Sequence, residues 1–286
     1  MPFRTVIISS HSKLEYSLNY LVYKTIEETK KIVLDEIHTL IIESTMVSIT
    51  SSLLVELMNK KIKVIFCDEK KNPHSELIPY YGNSQTVTRI EEQINWSKDI
   101  KDSIWQRIVI EKIKNQAKVL SLIDKKEADK LFQYSNEVEI GDITNREGHA
   151  AKVYFNRLMG LNFSRGGSDK RNIYLNYGYS ILLAQINRCI VSKGYLTQLG
   201  IHHKNDFNQF NLSCDFIEPL RPIVDKLSLS LNDENYKSEL INMLNTCFII
   251  NGQNQSLHNA IEIYCASIFR SLNTGTINEI VFIEII

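Results

Sequence analysis

The spacing of apolar residues changes at about residue 80, and this change constrains the fold more than any other feature. Before it, short runs rich in Ile, Val, Leu and Tyr alternate with polar turns, which predicts β-strands at 4–9, 14–23, 32–34, 39–42 and 61–66. One helix interrupts them, beginning at the hydroxyl residues 50–52 and carrying its apolar face on residues 53, 54, 57 and 58.

Beyond about Thr86 the apolar residues recur at helical spacing. The pattern predicts helical structure across 94–120 and helices at 146–158, 172–192, 215–227, 237–249 and 257–272. The turn-forming residues 79–83 mark the boundary. We therefore expect an α+β chain of two domains, a small β-rich N-terminal domain (1–83) and a larger all-α catalytic domain (84–286).

The last ten residues, 277–286, are apolar and β-prone. An uncovered terminus of this kind promotes aggregation. The segment is therefore expected either to fold back as an edge strand or to pair with another subunit.

Composition excludes several classes of protein. No apolar segment approaches the roughly 20 residues that span a bilayer, and the first residues do not resemble a signal peptide. The five cysteines are odd in number, dispersed and free of CxxC pairs. A disulfide framework and a zinc ribbon are thus unexpected, and a reducing cytoplasm is favoured.

The net charge of zero conceals an uneven distribution. Residues 144–204 hold nine Lys and Arg against two acids, whereas residues 205–286 hold four against ten. A basic middle is typical of a nucleic-acid-binding surface. A merely uneven solvated surface is the alternative.

Three dispersed residues carry candidate chemistry, namely Glu147, His203 and Glu218. Two carboxylates and an imidazole can hold a hard divalent cation with positions left for water and phosphate oxygens, the equipment for attack on a phosphodiester. Mg²⁺ or Mn²⁺ is favoured over zinc, because carboxylates outnumber the histidine and no thiolate pair is present.

Each of these residues also has a structural interpretation. Glu147 completes a capping-box pattern that begins at Thr144. His202 and His203 are adjacent, so at most one is expected to face a metal. Glu218 lies three residues before Arg221, a spacing typical of a surface ion pair of little energetic value.

Four segments together resemble the CRISPR-associated integrase family, the DNA-cutting and joining subunit of the spacer-acquisition complex. They are REGHAAKVYF (146–155), NIYLNYGY (172–179), GIHH (200–203) and DFIEPLRP (215–222). The resemblance covers essentially the whole chain, and its detail resembles the branch that works beside a single-protein DNA-targeting effector (type II). His202 stands where the family is expected to carry an apolar or aromatic residue.

The resemblance implies the roles of individual residues. Glu147, His203 and Glu218 would be the catalytic metal ligands, with Asp215 as a supporting acid and Mg²⁺ or Mn²⁺ as the ion. The β-rich domain would serve dimerisation and partner contacts. The DNA-binding residues would be Arg146, Lys152, Arg165, Lys170, Arg171 and Arg221.

The resemblance also implies a reaction and an assembly. Two integrase dimers would flank a small ferredoxin-fold CRISPR-associated partner dimer in a heterohexamer that holds double-stranded DNA, with other type II adaptation and effector proteins as further partners. Each 3′-hydroxyl of a short foreign fragment would attack a phosphodiester of the CRISPR repeat by transesterification. A hydrolytic nuclease acting on branched or single-stranded DNA, and a non-catalytic DNA-holding subunit, are the alternatives.

Overall fold

The structure is a computed structural model that describes residues 4–69, 71, 73–80 and 85–285. The chain divides into two compact units, Met1–Gly82 and Asn83–Ile286. The first is built mainly of strands and the second mainly of helices. The predicted α+β class, with a β-rich N-terminal region followed by a helical domain, is confirmed.

The first unit contains two mixed sheets and one helix within the described residues. Its elements are β1 (Arg4–Ile8), β2 (Ser12–Ser17), β3 (Tyr20–Lys24), β4 (Thr29–Val33), β5 (Ile37–Ile42), β6 (Val47–Ile49), α1 (Ser51–Asn59), β7 (Lys63–Cys67) and β8 (Pro73–Glu76). The strand orders are β1-β5-β7-β8 and β4-β3-β2-β6. Strand β5 is buried along its whole length, and Leu53 and Leu57 of α1 join the core.

The prediction of one continuous strand at 14–23 is wrong. Leu18 and Asn19 have positive φ angles of 47° and 68° and form a turn. Strands β2 and β3 therefore pair as an antiparallel hairpin, with Tyr16 opposite Leu21. The apolar run hid the turn because an asparagine tolerates the left-handed conformation without a glycine beside it.

The second unit is formed by nine helices and a small sheet within the described residues. The helices are α2 (Thr86–Asn95), α3 (Lys98–Leu120), α4 (Lys125–Asn136), α5 (Arg146–Met159), α6 (Arg171–Ser192), α7 (Asn211–Ile217), α8 (Arg221–Ser228), α9 (Tyr236–Asn242) and α10 (Leu257–Thr274). Helix α3 packs against α4, α5, α8 and α10, and Trp105 and Ile108 lie on its buried face. A Cβ on Gly178 of α6 would lie 2.5 Å from Val224 Cγ1, so this glycine permits the close approach of α8.

The small sheet was not predicted. Strands β9 (Cys247–Ile250), β10 (Gln253–Ser256) and β11 (Ile283–Glu284) form it in the order β10-β9-β11. The prediction of one helix across 237–249 is therefore wrong after Asn242. The C-terminal segment folds back on its own unit, with Ile283 opposite Ile250.

The predicted helix at 215–227 is interrupted. Helix α7 ends at Ile217, a 3-10 turn covers Glu218–Leu220, and α8 begins at Arg221. Pro219 lies in the 3-10 turn and Pro222 in the first turn of α8. A proline lacks the amide hydrogen that a continuous α-helix requires, so the α-helical hydrogen bonding is interrupted at Glu218–Leu220.

The described helices include none with the length and apolarity needed to cross a membrane. All five cysteines are free thiols.

Candidate active site

Asp215 organises the loop that carries the histidine pair. Its carboxylate accepts hydrogen bonds from the backbone amides of Ile201 (2.7 Å), His202 (3.1 Å) and His203 (3.0 Å). A Cβ on Gly200 would lie 2.8 Å from Asp215 Oδ2 and would also collide with the His203 carbonyl oxygen. Only glycine therefore fits where the loop closes around the carboxylate.

Asp215 also fixes the imidazole of His203. His203 Nδ1 lies 2.6 Å from Asp215 Oδ1, and because a carboxylate accepts, Nδ1 carries the proton. This hydrogen bond raises the pKa of His203, while burial opposes the change. In the neutral ring, Nε2 is then the nitrogen whose lone pair can bind an ion or a proton.

His202 has a different environment. Its ring stacks on Trp105 with centroids 4.2 Å apart and the two planes nearly parallel, whereas His203 meets Trp105 edge-on. His202 thus packs as an aromatic residue would, at a position where the family resemblance predicts an apolar or aromatic residue. The two histidines therefore differ in their contacts, since His202 stacks on Trp105 and His203 bonds to Asp215.

Glu147 lies in the first turn of α5. The Asp142 carboxylate accepts from the amides of Arg146 (2.8 Å) and Glu147 (3.0 Å), and Asn145 accepts from Gly148 (3.1 Å). The helix is therefore capped by Asp142 and Asn145. The carboxylate of Glu147 instead pairs with Lys112 Nζ at 2.5 Å, which argues against the capping-box interpretation.

Gly148 has a local role in this helix start. A Cβ there would lie 2.7 Å from Asn145 Oδ1, so the glycine leaves room for the capping side chain.

Glu218 is buried, unlike a surface ion-pair partner. Arg221 Nε donates to Glu218 Oε1 at 2.9 Å, and Lys112 Nζ donates to Oε2. Burial by itself raises the pKa of Glu218, but the charges of Lys112 and Arg221 outweigh it and lower the pKa. The group is thus an anion in a poorly solvated place, where opposite charges interact strongly.

Lys112 joins the two glutamates. Its ammonium group contacts Glu147 and Glu218 together, and its side chain is only 10% exposed. Both glutamates also raise the pKa of His203 through their charges, which places the imidazole within electrostatic reach of the pair. The structure thus brings Glu147, His203, Asp215 and Glu218 into one region.

As arranged, this region is not a finished metal cage. Among the described residues, no three His, Cys, Asp or Glu side chains form a group that could hold a metal ion. The lysine ammonium lies between the two carboxylates and makes the contacts a bound cation would make. The donor set itself fits a hard divalent ion, with two carboxylates and one imidazole.

The six predicted DNA-binding residues fall into two groups. Arg221 lies at the site and stacks 4.6 Å from the Tyr179 ring centroid, which Arg165 also approaches at 5.2 Å. The remainder lie on or near the helix surfaces, where three are paired with acids: Arg146 with Glu137, Lys170 with Asp233 and Arg171 with Asp169.

Sequence reasoning missed Lys112, Asp142 and Trp105. The sequence does contain an indication of Lys112, because this residue follows Ile108 by four residues and precedes Val119 by seven on the apolar stripe of α3. A charged residue on a buried stripe requires a partner. The sequence could not name that partner.

A comparison with protein families decides the relationship of this chain. The family model described as CRISPR associated protein Cas1 matches residues 5–261. The chain belongs to the Cas1 family. The family resemblance stated from the four sequence segments is confirmed.

Curated Cas1 relatives agree with this assignment. The CRISPR-associated endonuclease Cas1 of Neisseria meningitidis serogroup C (strain 8013) is 35% identical over 242 residues, covering 84% of this chain and 80% of the relative. The relative named CRISPR-associated endonuclease Cas1 1 from Francisella tularensis subsp. novicida (strain U112) is 27% identical, covering 77% and 75%.

Solved structures share the fold. A casposase bound to integration product has a TM-score of 0.76 at 20% identity, covering 96% of this chain and 91% of that one. A Cas1 protein from Thermotoga maritima has a TM-score of 0.75 at 19% identity, covering 95% and 97%. A Cas6-RT-Cas1–Cas2 complex has a TM-score of 0.78 at 17% identity, covering 99% of this chain and 36% of that one.

Proposed function

We propose that this Cas1 protein is a divalent-metal-dependent DNA integrase that joins short foreign DNA to a CRISPR repeat. The observation that carries the proposal is the meeting of Glu147 and Glu218 around one cationic group, with His203 within electrostatic reach. These residues come from α5, the α6–α7 loop and the 3-10 turn after α7. Their assembly at one place is difficult to explain by helix capping or surface pairing.

The proposed ligands are Glu147, His203 and Glu218, holding Mg²⁺ or Mn²⁺. When bound by these residues, such an ion would supply Lewis-acid chemistry that neutralises charge on the phosphate. Glu218 is kept anionic by Lys112 and Arg221, so it need not lose a proton before it binds a cation. Asp215 keeps the proton on His203 Nδ1 and leaves Nε2 as the donor atom.

The proposed reaction conserves the number of phosphodiester bonds. The 3′-hydroxyl oxygen of the incoming strand forms a bond to phosphorus, the bond to the leaving 3′-oxygen of the target strand breaks, and the hydroxyl proton is released. The energy of the broken bond is retained in the new one, so no ATP is required. With Nδ1 of His203 protonated and Nε2 assigned to the metal, the hydroxyl proton would pass to water, and the leaving 3′-oxygen would take up a proton in turn.

Arg146, Lys152, Arg165, Lys170, Arg171 and Arg221 remain the proposed phosphate contacts. The acids that pair with three of them can be replaced by phosphate oxygens, since exposed ion pairs are worth little. Contacts of this type position DNA without reading its sequence. Affinity should therefore fall steeply as salt is added.

Hydrolysis is the second candidate, because the relatives are named endonucleases. The same site could direct water at the phosphodiester. The casposase structure, which is bound to an integration product, supports joining. We therefore favour transesterification, with hydrolysis of branched or single-stranded DNA as the alternative.

The proposed partners follow from the same relatives. Two of the similar structures are complexes of a Cas6-RT-Cas1 protein with Cas2, and one is a Cas1–DNA complex. We propose that this chain forms a homodimer through its β-rich unit and binds a small ferredoxin-fold partner and double-stranded DNA. A cytoplasmic location and contacts with type II effector proteins remain part of the proposal.

The test is a strand-transfer assay. The purified protein, with and without its small partner, is incubated with an end-labelled duplex and a supercoiled plasmid carrying the repeat, in Mn²⁺ or Mg²⁺. Joined label supports integration, whereas cut ends without joining support hydrolysis. Glu147→Gln and Glu218→Gln should each lower the rate at least about 100-fold, because a charge-stabilising contact is lost at the reacting phosphate.

Glu139→Gln is the matched control. Glu139 is an exposed glutamate that precedes α5, the helix of Glu147, so its substitution should leave the rate unchanged. Glu147→Ala also tests the non-catalytic alternative. We expect DNA affinity within a few-fold of the parent and no integration. Unchanged integration by Glu147→Ala would reject the catalytic assignment.

A further inference from the structure

Lys112 is the buried cation that pairs with both glutamates of the site. The residue as a whole is 8% exposed and lies on the buried face of α3, where its neighbours Ile108 and Ile113 are fully buried. Its Nζ lies 2.5 Å from Glu147 Oε1 and also contacts Glu218 Oε2. The ammonium group therefore joins the two carboxylates from a poorly solvated position.

The oxygens of Glu218 are already engaged. Arg221 takes Oε1 and Lys112 takes Oε2. A divalent ion shared by Glu147 and Glu218 would need the space and the oxygen atoms that the ammonium group uses. An ammonium group and a metal ion that share the same carboxylate oxygens would repel each other, and the repulsion is strong where water is excluded.

Arg221 is less able to give way than Lys112. Its guanidinium is stacked on Tyr179 as well as bonded to Glu218, so the ring contact would still hold it if a metal ion took the carboxylate. The lysine is held by the two carboxylates alone among its described polar contacts. Its long, unbranched side chain can move its ammonium group by rotation about single bonds.

We propose that Lys112 is a positioning residue that holds Glu147 and Glu218 together before metal binds and is displaced when a divalent cation enters. This inference rests on the proposed metal site. It makes Lys112 an internal competitor of the metal, so the DNA-free protein binds the ion more weakly than its donor set alone would allow. The competition is a negative coupling between two cations at one site.

The test measures Mn²⁺ affinity of the DNA-free protein by isothermal titration calorimetry. Lys112→Met removes the charge, and Lys112→Gln retains a hydrogen-bond donor in case the first variant folds poorly. Both should bind Mn²⁺ about tenfold more tightly than the parent, because the competing cation is absent. A purely structural role predicts the opposite, since a disordered carboxylate pair would bind the ion less well.

Lys118→Met is the matched control, because this lysine lies on the same helix near Glu111 and should leave the affinity unchanged. Unchanged or weaker Mn²⁺ binding by the folded Lys112 variants would overturn the inference. The variant Glu218→Gln tests the proposed metal site itself, independently of the inference about Lys112. If it binds Mn²⁺ as the parent does, the proposed function itself is wrong.

A second measurement uses the parent alone. Reductive methylation, read at each lysine by peptide mass spectrometry, should label Lys112 about tenfold faster in Mn²⁺ than without it, because a displaced ammonium group is no longer held in its ion pairs. Lys118 should label at the same rate in both. Equal labelling of Lys112 with and without Mn²⁺ would contradict displacement.

Discussion

Asp215 and Asp225 are two buried aspartates for which the same substitution should have opposite consequences. Asp215 Oδ2 accepts from the amides of Ile201 and His202, and its Oδ1 accepts from the amide and Nδ1 of His203. Asp225 instead accepts from two hydroxyl groups, those of Tyr154 at 3.0 Å and of Tyr179. Amide donors cannot reverse their role, whereas hydroxyl groups can donate or accept.

Asparagine at 215 is therefore incompatible with its surroundings in either orientation. Its NH₂ group faces two N–H donors, and each buried donor left unsatisfied costs about 1–3 kcal/mol. The expected loss for Asp215→Asn is thus about 2–6 kcal/mol, with the loop that carries His203 released. Metal binding and integration should fall with it.

Asparagine at 225 relieves a cost. Burial raises the pKa of Asp225 to about 6 from its ordinary value of 3.8, although both tyrosines oppose the shift. At pH 8 the ionised form in the folded protein is unfavourable by about 3 kcal/mol, taking about 1.4 kcal/mol per pKa unit. An amide can accept from one tyrosine and donate to the other, so Asp225→Asn should be no less stable than the parent at pH 8.

The assay is thermal or guanidinium unfolding followed by tryptophan fluorescence. Trp96 and Trp105 both lie in the second unit, so the signal reports the unit that holds the two aspartates. With about 2–4 °C per kcal/mol for a domain of this size, Asp215→Asn should lower the melting temperature by about 5–20 °C. Equal destabilisation by the two variants at pH 8 would refute the reasoning from donor geometry.

The remaining predictions concern other parts of the second unit. The raised pKa of Asp225 means that the folded state binds the proton of this carboxyl group more tightly than the unfolded state does. Its contribution therefore favours folding at low pH and is lost as pH rises from about 4 to about 6. The difference in unfolding free energy between the parent and Asp225→Asn, measured from pH 4 to 8, should show this loss, and a constant difference would contradict it. Gly200→Ala should destabilise by about 1–3 kcal/mol, because its Cβ would collide with the His203 carbonyl and the Asp215 carboxylate, while Gly166→Ala, where a Cβ meets nothing within 4 Å, should be neutral in the same chemical denaturation. Ile283→Ala should cost about 2–5 kcal/mol, since this tail residue is 1% exposed; a smaller loss in guanidinium unfolding would mean that the tail does not stabilise its unit. Arg165→Gln should reduce the slope of log DNA affinity against log salt concentration by about one, and an unchanged slope in a fluorescence anisotropy titration would remove Arg165 from the DNA contacts.

The long amphipathic helices could be predicted closely from the sequence. Residues 146–158 were predicted as a helix and α5 covers Arg146–Met159, and α10 extends the predicted 257–272 only to Thr274. In such segments the apolar stripe and the helical period agree over several turns, so local and tertiary preferences coincide.

The short elements were less predictable. Strand β9 contains the apolar run Phe248–Ile250, which fits a helix end as well as a strand. It became a strand because the tail supplies a partner at Ile283 and the residues after a tight turn supply another. A pairing partner more than thirty residues away along the chain leaves no mark on the local pattern.

The succession of a β-rich and a helical unit, the family, and the candidate residues Glu147, His203, Asp215 and Glu218 could all be inferred from the sequence. Periodicity and short motifs are local, so they can be read along the chain. The three-dimensional structure was needed to show that the ring of His203, and not that of His202, bonds to Asp215, and that Lys112 joins the two glutamates. Contacts between side chains that are distant in sequence depend on how the helices pack. The packing, and not the spacing along the chain, determines which charged groups are buried next to one another.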